Sequence, residues 1–230
     1  NGYPIICDPG VFTYKDDANR YYYKSSKTHN MVTVNNMEPW EYKNGWAYGP
    51  QKEGSIVAVE ETSRMMYAIC KHYNYDPIII ERVIAIIDHE YVLILDKVYG
   101  IQPSDTVQIQ FHVDETNLLT KNNSVVTVSE KENIALYHSK GAKVTIVDGK
   151  ISDYNDVEHP SKIVRFEYET IQQSTFAAVS ILKPEQPKSD YTQIIITKSQ
   201  LDENSLTLSL VVGNRNYEIV WENDKLFLLS

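Results

Sequence analysis

Between residues 107 and 113 the chain reads Val-Gln-Ile-Gln-Phe-His-Val, apolar at every odd position and polar at every even one. Helices repeat every 3.6 residues and strands every two, so this segment fits only a strand with one face toward a core. Short apolar runs of the same kind recur along the chain, at 3–7, 31–34, 55–60, 78–87, 91–98, 107–113, 125–129, 143–147, 164–168, 176–182, 193–197, 206–212, 217–221 and 225–229, with turn residues between them. Ile, Val and Thr dominate these runs, joined by 17 Tyr, and such side chains crowd a helix turn but pack well on a pleated sheet. Residues 61–73 place Met65, Met66, Ala68 and Ile69 at spacings open to a helix, and the flanking strands favour strand there. The expected fold is all-β, a two-sheet antiparallel β-sandwich with helix below about a tenth of the chain.

Turn chemistry sets the expected connections. Asp88-His89-Glu90 joins two strongly apolar runs, and Asp148-Gly149 predicts a type I′ hairpin between 143–147 and Ile151. Lys183-Pro184-Glu185-Gln186-Pro187 reads as a surface connection too short to separate domains. Asn1-Gly2 is a hairpin signal with no strand before it, so residues 1–230 are expected to form a single domain truncated on its N-terminal side.

Several classes are excluded early. Hydrophobic residues make up 42% of the chain, too many for intrinsic disorder, and no apolar run approaches the roughly 18 residues of a membrane-spanning helix. The net charge of -9 repels phosphate backbones, which argues against nucleic acid. Cys7 and Cys70 form neither a CxxC motif nor a disulfide framework. No nucleophile triad or Gly-rich phosphate loop is present. His72, His89, His112, His138 and His159 have no ligand spacing and read as structural or solvated.

Two residue types invite metal chemistry. The carboxylate of Asp8 and the imidazole of His29 are good ligands for Zn²⁺ and comparable ions, but Asp8 equally suits a cap on the Pro9-Gly10 turn and His29 a hydrogen bond within a sheet. Both readings stand on the residues alone. Tyr21, Tyr22, Tyr23, Trp40, Tyr42, Trp46 and Tyr48 supply flat rings with polar edges, suited to sugar faces or to half-buried strands. Arg20 has the fork that meets uronate or sulfate oxygens, whereas Lys24 reads as a solvated surface charge.

Read in order, Cys7-Asp8-Pro9-Gly10, Tyr14, Arg20-Tyr21-Tyr22, Ser25 and Thr28-His29-Asn30-Met31-Val32-Thr33-Val34 resemble the C-terminal domain of the heparinase II/III family of polysaccharide lyases. Glu81-Arg82-Val83, the Val92–Asp96-Lys97-Val98 stretch and Phe111-His112-Val113 look like later strands of that family. The resemblance runs over residues 3–184 and is strongest in 5–34 and 81–113. Met31 departs from it, standing where the family usually has Thr.

The resemblance implies a lyase acting on acidic, uronate-containing polysaccharide by β-elimination. It further implies that Asp8 and His29 share one divalent metal, Zn or Ca, with a third ligand on upstream strands that this chain lacks. Catalytic groups are expected on a missing N-terminal helical domain, and none maps onto residues 1–230. Tyr14, Arg20, Tyr22 and Asn30 are the candidate substrate-lining residues, and the full-length protein is expected to be secreted, periplasmic or cell-surface-associated. The alternative is a non-catalytic carbohydrate-binding or scaffolding sandwich, including one that serves surface-polysaccharide synthesis.

Overall fold

Runs that are apolar at nearly every position, such as 78–87 and 91–98, call for strands buried on both faces rather than one. In the computed structural model, which describes residues 4–170, 174–186, 192–202 and 205–229, these two strands lie at the heart of a sheet covered on both sides. The strands are β1 (Val32–Val34), β2 (Gly54–Glu61), β3 (Met65–Tyr75), β4 (Ile78–Ile87), β5 (Tyr91–Tyr99), β6 (Thr106–Val113), β7 (Leu118–Lys121), β8 (Ser124–Thr127), β9 (Asn133–His138), β10 (Lys143–Tyr154), β11 (Val157–Glu169), β12 (Thr175–Glu185), β13 (Ile194–Leu201), β14 (Ser205–Val212), β15 (Arg215–Glu222) and β16 (Lys225–Leu228).

The central sheet has eight strands in the order β2-β3-β4-β5-β12-β9-β8-β7, and all its pairings are antiparallel. Side-chain alternation sends Ile69, Val83, Leu95 and Val179 to one face and Ile80, Ile94, Val98 and Ala178 to the other. The second set packs on a front sheet, β1-β6-β11-β10, through Val34, Ile109, Phe111 and Phe166. The first packs on a back sheet, β13-β14-β15-β16, through Leu208, Tyr217, Ile219 and Trp221. Each fully buried Leu, Ile or Phe contributes about 1.5–3 kcal/mol, so the inner strands of the central layer are held from two sides, while its edge strands β2 and β7 are largely exposed. The antiparallel sandwich anticipated from the runs is what the chain forms, and its last four strands add a third layer. Helix accounts for 5% of the chain, within the expected limit.

The ambiguous stretch 61–73 is strand, contained largely in β3. The tight connection at Asp88-His89 also holds, both residues taking the left-handed backbone with φ 50° and 56°. Other local expectations are corrected. Strand β10 runs straight through Asp148-Gly149, which pair with Lys162 and Ser161, and the turn falls at Asn155-Asp156 instead. Strand β12 continues through Lys183, Pro184 and Glu185, with Pro184 opposite Ile134, so this stretch is not a surface connection. The expected strand at 3–7 is reduced to one antiparallel bridge, Ile6 to Val113, because Pro4 and Pro9 lack the N–H groups that would extend a ladder. Asn1-Gly2 lies outside the described residues. The alternating strand β6 is buried on both faces: Gln108, Gln110 and His112 are 8%, 0% and 0% exposed.

The cover over those three polar residues is the N-terminal segment. It carries one short helix, α1 (Ala18–Lys24), whose cap Asp17 accepts from the backbone N–H groups of Asn19 and Arg20. A 3₁₀ turn at Ser26–Thr28 follows and leads into β1. Gln110 donates to the carbonyls of Ser26 and His29, and His112 donates from Nδ1 to the Thr28 carbonyl at 2.7 Å. Ser161 donates to His112 Nε2 at 2.6 Å. On the polar face of β6, backbone carbonyls thus take up Gln110 Nε2 and His112 Nδ1, Gln108 Nε2 donates to Glu167, and the Oε1 atoms of both glutamines are left without a partner among the described residues.

Candidate functional site

Asp8 and His29 meet at the edge of this N-terminal cover. The Asp8 Oδ1 atom accepts from the Gly10 N–H at 3.0 Å, closing the Pro-Gly turn. Gly10 sits at φ +80°, and a Cβ there would fall 2.1 Å from the Ser152 carbonyl oxygen, so only glycine lets the turn lie against β10. The turn directs Oδ2 toward His29, 2.7 Å from Nδ1. The other ring nitrogen, Nε2, lies 3.0 Å from the Tyr23 carbonyl oxygen at the end of α1. The two sequence readings of Asp8 are thus combined in one side chain, with one oxygen for the turn and the other for the histidine.

This geometry has an electrostatic consequence. With Nε2–H donating to Tyr23, a neutral ring turns a lone pair on Nδ1 toward a carboxylate oxygen, and the two repel unless a proton or a cation lies between them. The surroundings are acidic. Burial, Asp114, Asp153 and Asp8 together push the Cys7 thiol up to about 11, which also removes Cys7 as a nucleophile. Among the described residues no three His, Cys, Asp or Glu side chains converge on one point, so the chain offers a pair of ligands rather than a complete set.

Asn30 stands beside the pair with its amide engaged. Its Nδ2 donates to the Cys7 carbonyl at 2.9 Å, its Oδ1 accepts from the His112 N–H at 2.7 Å, and its carbonyl accepts from Arg82 Nη1 at 2.8 Å. Arg82 is fixed in turn by Asp96, fully buried on β5, through bonds of 2.6 and 3.1 Å. One chain of contacts therefore runs from the central sheet to the turn bearing Asp8. Burial holds the His112 pKa below the ordinary histidine value, matching a neutral ring with Nδ1 as donor and Nε2 as acceptor.

The remaining candidates occupy the outer surface of α1 and its neighbours. Tyr14 and Trp46 are 59% and 56% exposed and stack with ring centroids 5.6 Å apart. The Arg20 guanidinium lies 5.1 Å from the Trp46 ring centroid and donates from Nε to the Gly45 carbonyl at 3.0 Å. The result is an open face of two rings and a cation. Tyr22 points elsewhere, its hydroxyl accepting from the Lys150 N–H at 2.9 Å on the wall of a 350 Å³ pocket shared with Glu158 and His159. Lys24 is not a solvated charge: it is 6% exposed, donates to the Gly45 carbonyl at 3.1 Å and caps the Tyr48 ring at 3.9 Å. The stacking of Trp46 on Tyr14 and the anchoring carbonyl of Tyr23 were missed, the latter because a backbone group has no letter in the sequence.

These features describe an all-β sandwich domain with an Asp–His pair and an open aromatic face on its N-terminal cover. The profile of the family described as "Heparinase II/III-like, C-terminal" matches residues 1–197, and the chain belongs to that family. Among solved structures it is similar to heparinase III, with a TM-score of 0.80 and 18% identity over 96% of this chain and 34% of that one. It is likewise similar to the heparan sulfate lyase HepC from Pedobacter heparinus, at 0.80 and 19% over 99% and 35%. The chain thus spans about a third of the length of these structures, and the likeness includes the back sheet, most of which lies beyond the family match. No curated protein matches significantly. Among the described residues no helix is long and apolar enough to cross a membrane.

Proposed function

We propose that the chain is the C-terminal sandwich of a polysaccharide lyase that cleaves uronate-containing acidic polysaccharide by β-elimination, and that Asp8 and His29 supply two ligands of a divalent metal. What supports the metal reading is that Nε2 is anchored on the Tyr23 carbonyl, which orients Nδ1 toward the Asp8 carboxylate; the 2.7 Å contact itself is a direct hydrogen bond, and the two atoms would separate to about 3.2 Å to share an ion. A nitrogen–carboxylate donor pair suits Zn²⁺ better than Ca²⁺, which takes oxygen ligands. Bound there, the ion would tie the Asp8 turn to the start of β1, with its remaining protein ligand supplied from outside residues 1–230.

In the elimination a base removes the proton α to the uronate carboxylate, the resulting enolate expels the 4-linked oxygen, and an acid protonates it. The base and the acid belong to the N-terminal helical domain in this reading. The chain's own contribution is a wall of the cleft: Tyr14 and Trp46 offer ring faces to a sugar, and Arg20 offers a charge-assisted donor to its carboxylate or sulfate. Membership of the family and the exposed Tyr14–Arg20–Trp46 face support this assignment.

The test is made on the full-length protein, with metal content by mass spectrometry and ultraviolet absorbance of the unsaturated uronate product from heparan sulfate, chondroitin sulfate, hyaluronan and alginate. The expected result is product from at least one polymer and bound zinc that is lost in Asp8→Asn and His29→Gln. Absence of product from all such polymers would overturn the lyase assignment. Zinc content unchanged in both variants would overturn the metal assignment. Residues 1–230 alone are expected to give no product.

A further inference from the structure

On the face of the central sheet turned toward the back sheet, three charged residues interrupt the apolar layer. Lys71, Glu81 and Lys97 stand side by side on β3, β4 and β5, in register across the strands. Tyr99 occupies the next row, Trp221 faces them from β15, and the turn at Asn223-Asp224 closes the end. Together they line a pocket of about 340 Å³, at the lower end of the range of small-molecule sites.

The charges in this pocket are not equivalent. Glu81 is 6% exposed and both its oxygens are occupied, one by Lys71 Nζ at 2.7 Å and the other by the Tyr99 hydroxyl at 2.8 Å. Lys97 is 3% exposed, yet among the described residues its ammonium has neither a hydrogen-bond acceptor nor an ion-pair partner. The Trp221 ring centroid lies 3.9 Å from Nζ, and Glu81 and Asp224 are the carboxylates nearby, neither of them in hydrogen-bond contact with it. A ring face attracts a cation but does not meet three N–H donors, so the ammonium on the pocket lining keeps donors free for a ligand there. Burial also holds the Lys97 pKa below the usual lysine range, with Glu81 and Asp224 acting against it. A hydrogen-bond acceptor in direct contact is what this ammonium lacks.

We propose that the pocket binds a small polyhydroxylated monocarboxylate, the size of a single hexuronate, whose carboxylate accepts from Lys97 Nζ. The exposed rim supplies the other half of the recognition, since the Asn223 amide and the Asp224 carboxylate can donate to and accept from hydroxyl groups. Asp224 also places a negative charge at the entrance, which disfavours doubly charged sulfate or phosphate relative to a monocarboxylate. The pocket is separate from the Asp8–His29 pair: the back sheet forms one wall, and the central and front sheets lie between the two sites. The proposal therefore does not rest on the lyase reading, and it calls for binding without turnover.

The test is titration of the protein with sodium glucuronate, sodium acetate and glucose, followed by NMR chemical shifts and calorimetry. The expected result is saturable glucuronate binding, weaker acetate binding and none by glucose. Lys97→Met should weaken glucuronate binding at least tenfold, and in the absence of ligand should melt no lower than the parent, because it removes an unpartnered buried charge. Asn223→Ala, at an exposed turn, should weaken glucuronate and leave acetate unchanged. No saturable glucuronate binding, or equal binding by the parent and Lys97→Met, would overturn the proposal. Acetate binding as tightly as glucuronate would overturn the sugar-acid assignment, and a lower melting temperature in Lys97→Met would assign the ammonium to packing on Trp221.

Discussion

Replacing Asp96 by Asn changes almost no volume and removes one charge from the centre of the contacts that support the Asp8 turn. Asp96 is fully buried and accepts two bonds from Arg82, whose side chain is only 16% exposed. The Asn amide accepts one of these bonds and turns an NH₂ toward the other donor, leaving a largely buried guanidinium without its counter-charge. Removing one partner of a buried ion pair costs about 3–5 kcal/mol, because the remaining charge stays desolvated. For a chain of this size each kcal/mol moves Tm by about 2–4 °C, so Asp96→Asn should melt roughly 6–20 °C lower. The assay is a circular dichroism melt of the two proteins in the same buffer, with urea titration as a second probe. The double variant Arg82→Met/Asp96→Leu should recover more than half of the loss, since apolar replacement of both partners removes the orphaned charge. A Tm for Asp96→Asn within about 2 °C of the parent, less than the shift of a single kcal/mol, would refute the reasoning.

Gly149→Ala should cost about 1–3 kcal/mol by overpacking, because its Cβ would lie 2.8 Å from Ser161 Oγ and 2.9 Å from His112 Nε2; unchanged urea stability would show that the contact is slack. Burial lowers the pKa of His72 and His138, so between the folded value and the ordinary value near 6.5 the unfolded chain binds more protons than the native one. Their contribution is complete above that ordinary value and is lost as the pH falls toward the folded values, so urea stability should decline on acidification below about pH 6.5. A stability rising on acidification through that window, in variants retaining only these two histidines, would contradict the burial argument. Trp46→Ala, at an exposed ring, should change stability by no more than about 0.5 kcal/mol and in the full-length protein should raise KM with kcat nearly constant; an unchanged KM would remove the ring from the substrate surface.

Period and composition made the strands legible, because alternation follows from backbone geometry and survives any tertiary arrangement. The third layer was not legible in the same way. Strand β14 alternates half-buried and buried side chains from Ser205 to Val212, a pattern it would show against any apolar face. The pairing of Asp8 with His29 entered through the family resemblance, since a sequence separation of 21 gives no local sign that they touch.

Two of the misread positions converge on one contact. Gly149 looked like a turn residue because Asp-Gly favours the left-handed backbone, but in β10 the glycine is needed for the space a side chain would fill. That space is taken by His112 and Ser161. His112 in turn looked like the solvent-facing member of an alternating strand, although polarity reports a demand for hydrogen bonds and not for water itself. Backbone meets the demand here: the ring donates to the Thr28 carbonyl, one residue before His29. Thus a glycine on β10 admits the hydroxyl that positions an imidazole on β6, and that imidazole anchors the turn from which His29 reaches Asp8. The arrangement uses residues whose local signals point elsewhere, and only the packing of three separate segments gives them their roles.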